Sequence, residues 1–163
     1  MNRTFILYIL LTLTSVSQAA PTELLGRVSD VSNGDTIIVT DAKNKQHKVY
    51  LLGIDAPEMK QAFGKQSREY LERLLFSRND QVKVIIKKYT RAKNIVGTVY
   101  AADLNSSQYA DINGMMVMAG FAWANPHTSK QYRAVEKIAR NRKSGLWKQK
   151  RPVAPWKWRK GKH

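Results

Sequence analysis

The 163-residue chain is 43% hydrophobic and has no cysteine, so it supports one compact domain, is too short for two comfortable ones, and gains nothing from disulfides. Its 28 basic residues stand against 12 acidic ones, a formal net charge of +16 that selects polyanionic partners, nucleic acid first. The plainer alternative is a solvated basic face that keeps an exported protein soluble or holds it against an anionic envelope.

In chain order, Arg3, the apolar run Phe5 to Leu13 and the small residues of Ser17-Gln18-Ala19 predict a secretory signal peptide over residues 1–19, cut after Ala19, and hence a secreted or periplasmic protein. The apolar run is shorter than the about 20 residues that cross a bilayer, so no membrane span is expected. Residues 20–150 form the folded domain and residues 151–163 a basic tail rich in proline and tryptophan. Leu24 to Val31 and Thr36 to Thr40 are β-rich runs, with the hairpin signal Asn33-Gly34 between them. A polar turn from Asp41 to His47 leads into a third strand at Lys48 to Ile54. Val82, Val84 and Ile86 alternate with Lys83, Ile85 and Lys87, and Ile95 to Ala101 gives a fifth strand, which suits a small closed barrel.

Helices fill the remaining spans. From Gln66 to Phe76, Tyr70, Leu71, Leu74 and Leu75 share one face. Asn113 to Ala119 predicts a short helix closed by Gly120, and Thr128 with Gln131 has capping-box spacing for a third helix that ends near Gly145. Arg140, Arg142 and Lys143 complement the dipole at its C-terminus. After Glu136 eleven basic residues follow with no acidic one, and Arg151 to Lys160, broken by Pro152 and Pro155, reads as an extended tail.

The chemistry concentrates in Asn33-Gly34-Asp35-Thr36 and in Val49-Tyr50-Leu51-Leu52-Gly53-Ile54-Asp55-Ala56-Pro57-Glu58. Asp35, Asp55 and Glu58 stand at the ends of apolar runs, where carboxylates suit a hard cation beside a general base. Glu58 is the candidate base, aimed by a loop that Pro57 stiffens.

These segments resemble the D-G-D-T and R-L-x-G-I-D-A-P-E motifs of the staphylococcal nuclease (thermonuclease) family. Further segments match in order: Gln61-Ala62-Phe63-Gly64, Val96-Gly97-Thr98-Val99-Tyr100, Asp111-Ile112-Asn113, Ala119-Gly120-Phe121-Ala122, Gly145-Leu146-Trp147 and Pro155-Trp156-Lys157-Trp158-Arg159. The resemblance implies an α+β, mainly β fold, an OB-fold five-stranded barrel with three helices, whose barrel face commonly binds oligonucleotides. It also implies Ca2+ held by Asp35, Asp55 and the Ala56 carbonyl. Asn33 replaces the first Asp of the first motif, one nearby charge fewer.

The family meets the negative charge that builds on phosphorus oxygens with two arginines, and here both expected positions differ: Tyr50 stands at the first and, read without gaps, Asn94 at the second. Lys48, two residues from Tyr50 on the same strand face, and Lys93 are stand-ins, as is Arg91 under a shifted alignment. The ungapped reading is preferred because the flanking strands then fit without a bulge. Lys93, Arg140 and Lys143 are the candidate substrate-phosphate contacts. Trp156 and Trp158 stack on bases, sit at a membrane interface or pack on the barrel, with packing expected.

The resulting expectation is a monomeric, calcium-dependent nuclease that hydrolyses DNA or RNA phosphodiesters with little sequence preference, attenuated by the two replacements. The alternative is a nucleic-acid-binding OB-fold module without turnover. Intact acids favour the first and absent arginines the second.

Overall fold

The computed structural model describes residues 22–102, 108–127 and 129–161; the signal-peptide reading at residues 1–19 lies outside them. Strand β1 (Glu23–Asn33) pairs antiparallel with both β2 (Thr36–Asp41) and β5 (Gln81–Tyr89). Register shifts at Val28/Asp30 and Val31/Asn33 bend it so that one long strand serves two neighbours. The sheet continues through β3 (Gln46–Leu51) on one side and β6 (Ile95–Ala102) on the other. Parallel pairing of β3 with β6, Val49 opposite Ile95 and Leu51 opposite Gly97, closes five strands into a barrel. Closure removes the exposed edges of an open sheet.

Period-two alternation puts Val28, Val31, Ile37, Val39, Val49, Val84 and Val99 inside, all buried. Each such aliphatic side chain contributes about 1.5–3 kcal/mol relative to exposure. Helix α1 (Gly64–Phe76) lays Leu71, Leu74 and Leu75 onto this core, and Tyr70 stacks on Phe121 with ring centroids 4.6 Å apart.

Several elements depart from the sequence reading in ways that shape the site. Strand β3 stops at Leu51 rather than Ile54, because Gly53 takes a left-handed φ of 80° that breaks the strand. The chain resumes as β4 (Ile54–Asp55), paired with β8 (Trp123–Ala124). A bulge does occur in β5, between Ile86 and Lys88 opposite β6, where regular strands were expected. Strand β7 (Tyr109–Asp111) pairs antiparallel with β6 and feeds α2 (Ile112–Met118), which Asp111 caps by accepting the Gly114 N–H. Helix α3 (Lys130–Asn141) is capped by Ser129, whose hydroxyl accepts the Tyr132 N–H; Thr128, the cap expected from spacing, lies outside the described residues.

The tail is not extended. After a 3-10 turn at Gly145–Lys148 it forms α4 (Pro155–Trp158), where Pro155 has the φ that a helix start requires. Trp123, Ala139, Leu146, Trp147 and Ala154 make a second apolar cluster, against which Phe63 and Trp156 pack. Trp156 thus packs on the body of the domain, as expected. No helix among the described residues is long and apolar enough to cross a membrane.

Candidate active site

The β1–β2 turn carries the first acid. Gly34 is required there because a Cβ would lie 2.6 Å from the Ser67 Cβ and 2.8 Å from the Ala56 Cβ, so the turn presses directly on α1 and on the second acidic segment. Asn33 accepts the Asp35 N–H at 3.0 Å, an Asx turn that supports the bend with a neutral side chain in place of a carboxylate. The Asp35 carboxylate accepts the Thr36 hydroxyl at 2.9 Å and the Ala56 N–H at 2.9 Å, tying the two motifs together. Burial pushes its pKa up to about 6 despite those two hydrogen bonds, and Asp55 and Glu58 push it in the same direction. Among the described residues no basic side chain pairs with Asp35.

The second acid sits on β4. Asp55 is 7% exposed and pairs through its backbone with Trp123 of β8. Its approach is fixed by Asn113, fully buried, whose amide donates to the Leu52 carbonyl at 2.9 Å and whose side-chain oxygen accepts the Val99 N–H at 3.0 Å. That side chain bridges the β3–β4 break to the barrel. Three residues on, the Glu58 N–H donates to the Gln61 side-chain oxygen at 3.1 Å. Gly64 lets α1 begin against this loop, since a Cβ there would collide with the Glu58 carbonyl oxygen.

A third group arrives from the far end of the chain. The Arg159 guanidinium grips Asp55 through both oxygens, Nη1 to Oδ1 at 3.0 Å and Nη2 to Oδ2 at 2.7 Å, and its Nη1 also donates to Glu58 Oε1 at 2.6 Å. This bidentate fork is the strong form of an arginine–carboxylate contact, and it holds the guanidinium charged by raising its pKa. Two anchors place it. Trp156 packs edge-on to Trp123, the backbone partner of Asp55, with centroids 5.6 Å apart, and the buried Gln61 donates to the Val153 carbonyl at 2.6 Å.

Sequence reasoning missed Arg159 and Gln61. The tail motif was visible, but 104 positions separate Arg159 from Asp55, and no local periodicity encodes that contact.

The expected phosphate contacts divide into two groups. Tyr50 lies opposite Thr36 across the β2–β3 ladder, next to Asp35, and the Lys48 ammonium lies over its ring, 5.6 Å from the centroid. Lys48, Lys93 and Asn94 line one groove of about 740 Å³ that also includes His47 and Tyr89. Asn94 ends a tight turn, its N–H donating to the Thr90 hydroxyl at 3.1 Å, while Arg91 is exposed within that turn. Arg140 is held elsewhere: its guanidinium pairs with Glu136 at 2.6 Å and lies over the Trp147 ring at 3.8 Å, as part of the tryptophan cluster. Lys143 is exposed beyond the end of α3 with a left-handed φ of 52°.

Asp35, Asp55 and the Ala56 carbonyl offer only oxygen donors, the chemistry a hard divalent cation requires, and Asp35 has no basic partner. As they stand, the described residues contain no group of three acidic or histidine ligands gathered as a metal cluster, and Arg159 takes both Asp55 oxygens.

Comparison with known proteins agrees with the geometry. Residues 48–149 match the profile of staphylococcal nuclease homologues. The chain is 37% identical over 152 residues to a protein of Shigella flexneri named micrococcal nuclease, covering 89% of this chain and 86% of the relative. It is 37% identical over 139 residues to an uncharacterized endonuclease of Escherichia coli, covering 84% and 86%. A Haemophilus influenzae protein described in the same words is 35% identical over 162 residues, covering 98% and 86%.

Proposed function

The chain belongs to the staphylococcal nuclease family, and from that membership and its rim of acids we propose a calcium-dependent hydrolase of DNA or RNA phosphodiesters with little sequence preference. One observation carries the reading: the Asp35 carboxylate accepts the N–H of Ala56, next to Asp55, and one guanidinium spans Asp55 and Glu58, so the two acidic segments meet at one end of the barrel. A nuclease function and a nucleic-acid substrate follow from the family; the metal and the catalytic roles are the proposal.

Glu58 is the base. It takes one proton from a water whose oxygen bonds to phosphorus, the ester P–O bond breaks, and the departing alkoxide is protonated from solvent. Arg159 engages only Oε1 of Glu58, which leaves the second oxygen for that proton. Asp35, Asp55 and the Ala56 carbonyl would hold the cation, and its chemistry there is charge neutralisation at the phosphate. Lys48 of β3 and Lys93 of the β5–β6 turn line one groove, and Tyr50 lies two residues along β3 from Lys48, which offers flanking phosphates a path.

A second reading, a binding module without turnover, is favoured by Tyr50 and Asn94, which stand where the family carries arginines. One assay separates the two. Full-length protein is incubated with single-stranded DNA and with RNA, in calcium and in chelator, beside Glu58→Gln. Slow cleavage that requires calcium and is abolished in the variant, with binding retained, is expected. Cleavage that persists in chelator and in Glu58→Gln overturns the mechanism, and binding without cleavage in calcium selects the module.

A further inference from the structure

We propose that Arg159, delivered from the C-terminal tail, is a catalytic residue that clamps the scissile phosphate in place of the arginines absent at Tyr50 and Asn94. The proposal rests on the nuclease reading above and names the cation that reading lacks.

The stoichiometry of the guanidinium supports it. An arginine has five N–H donors. Three hydrogen bonds hold Arg159 to Asp55 and Glu58, so two N–H groups stay available. The Arg159 side chain is 48% exposed, so solvent and a substrate reach it at the rim. A phosphate whose phosphorus is attacked by water at Glu58 must lie beside Glu58, and Arg159 is already in contact with that carboxylate at 2.6 Å. Where a cation takes the Asp55 oxygens, the guanidinium released from them stays held by Glu58, and its planar fork is free to meet phosphate oxygens as charge builds on them.

The tail is built to deliver it. Trp156 anchors on Trp123, whose backbone pairs with Asp55, while Gln61 joins the Glu58 N–H to the Val153 carbonyl. The segment carrying Arg159 is thus fastened separately to the loops of both acids it touches. The competing possibility is a plug, in which Arg159 occupies Asp55 and Glu58 to keep the site off.

Turnover on single-stranded DNA in calcium is compared for wild type, Arg159→Lys and Arg159→Ala, with thermal unfolding as the folding control. Arg159→Ala is expected to lose about 100- to 1000-fold in kcat with a smaller change in KM. Arg159→Lys, which keeps the charge and loses the fork, is expected to fall between them. Unchanged turnover in Arg159→Ala overturns the proposal, and raised turnover identifies the plug. If Arg159→Ala does not fold, Arg159→Lys decides, wild-type turnover overturning the assignment. If wild type itself does not cleave, the nuclease reading has failed, and inorganic phosphate titrated against the same proteins decides alone. Binding weakened about 10-fold in Arg159→Ala then supports a phosphate clamp, and equal affinity overturns it.

Discussion

Two apolar clusters hold this molecule, and they differ in kind. The barrel core is mainly aliphatic, made of short-range strand periodicity and capped by the leucines of α1, and it takes in Tyr132, whose hydroxyl donates to Asp111. The second cluster is aromatic: Trp123 and Trp147 meet edge to face at 4.4 Å, Trp156 joins them, and Arg140 lies over both Trp123 and Trp147 while pairing with Glu136. Glu136 in turn accepts the Ala124 N–H at 2.6 Å, fastening the cluster to β8. The first cluster decides that a barrel exists and where its rim lies. The second decides what stands at that rim, since β8 carries the backbone partner of Asp55 and Trp156 carries the helix that ends beside Arg159. Stability and site assembly are therefore assigned to different packing surfaces.

That division is broken most sharply by truncating one residue from each surface. Trp156→Ala frees α4 from Trp123 and should lower kcat about 100-fold, approaching the loss on removing Arg159, while the barrel stays folded. Val84→Ala, fully buried among the strands, should cost about 1–3 kcal/mol of stability and leave kcat unchanged well below the melting temperature. Denaturant unfolding and single-substrate kinetics on both variants check this. Equal kcat values for Trp156→Ala and wild type would dissolve the distinction between the surfaces.

Much of the first surface was legible from sequence, and little of the second. The five barrel strands follow from alternation at Val82, Val84 and Ile86 and from Asn33-Gly34, because a sheet with one buried face writes its period into neighbouring residues. Asp35, Asp55 and Glu58 stand out by motif, and what the fold adds is the Asp35 bond to the Ala56 N–H and the Arg159 bridge between Asp55 and Glu58. The break after Leu51 was harder to see. Gly53 marks it, but the new partner of Ile54 and Asp55 lies at Trp123 and Ala124, a pairing of distant segments that no local pattern contains. Arg140 misleads for a related reason. Its sequence context is a run of positive charge, while its position depends on Glu136 one turn away and on Trp147, reached only when the 3-10 turn folds back. Arg159 is the extreme case, a cation in a basic tail whose meaning comes entirely from what the tail is fastened to.

A smaller effect is expected from restoring the family pattern on the barrel side. Tyr50 lies beside Asp35 across the β2–β3 ladder, and Asn94 ends the β5–β6 turn next to the groove that holds Lys48 and Lys93. Tyr50→Arg with Asn94→Arg should raise turnover about 10-fold or more on single-stranded DNA, since each fork adds donors where charge develops. The same pair introduced into Arg159→Ala should recover part of the lost rate if the tail arginine stands in for them. No gain in either background would show that neither position faces the phosphate.

The smallest effect sharpens the comparison from the side of stability, because the rim works against the core that carries it. Burial raises the Asp35 pKa from 3.8 to about 6, so the folded protein binds that proton more tightly than the unfolded chain does. The stabilising contribution of the protonated form is complete below about 3.8 and is lost as pH rises through about 6. The full shift corresponds to about 3 kcal/mol, and a carboxylate that keeps some contact with solvent should show about half of that. In chelator, Asp35→Asn should therefore exceed wild type in stability by about 1–2 kcal/mol at pH 7, with the difference vanishing toward pH 4. Calcium should narrow the gap at pH 7 by stabilising wild type alone, because a ligand that binds only the folded state adds to its stability. Urea unfolding of both proteins across that pH range measures the difference directly. A gap that does not grow with pH would mean that Asp35 titrates as an ordinary exposed acid, and the rim would then impose no strain on the barrel beneath it.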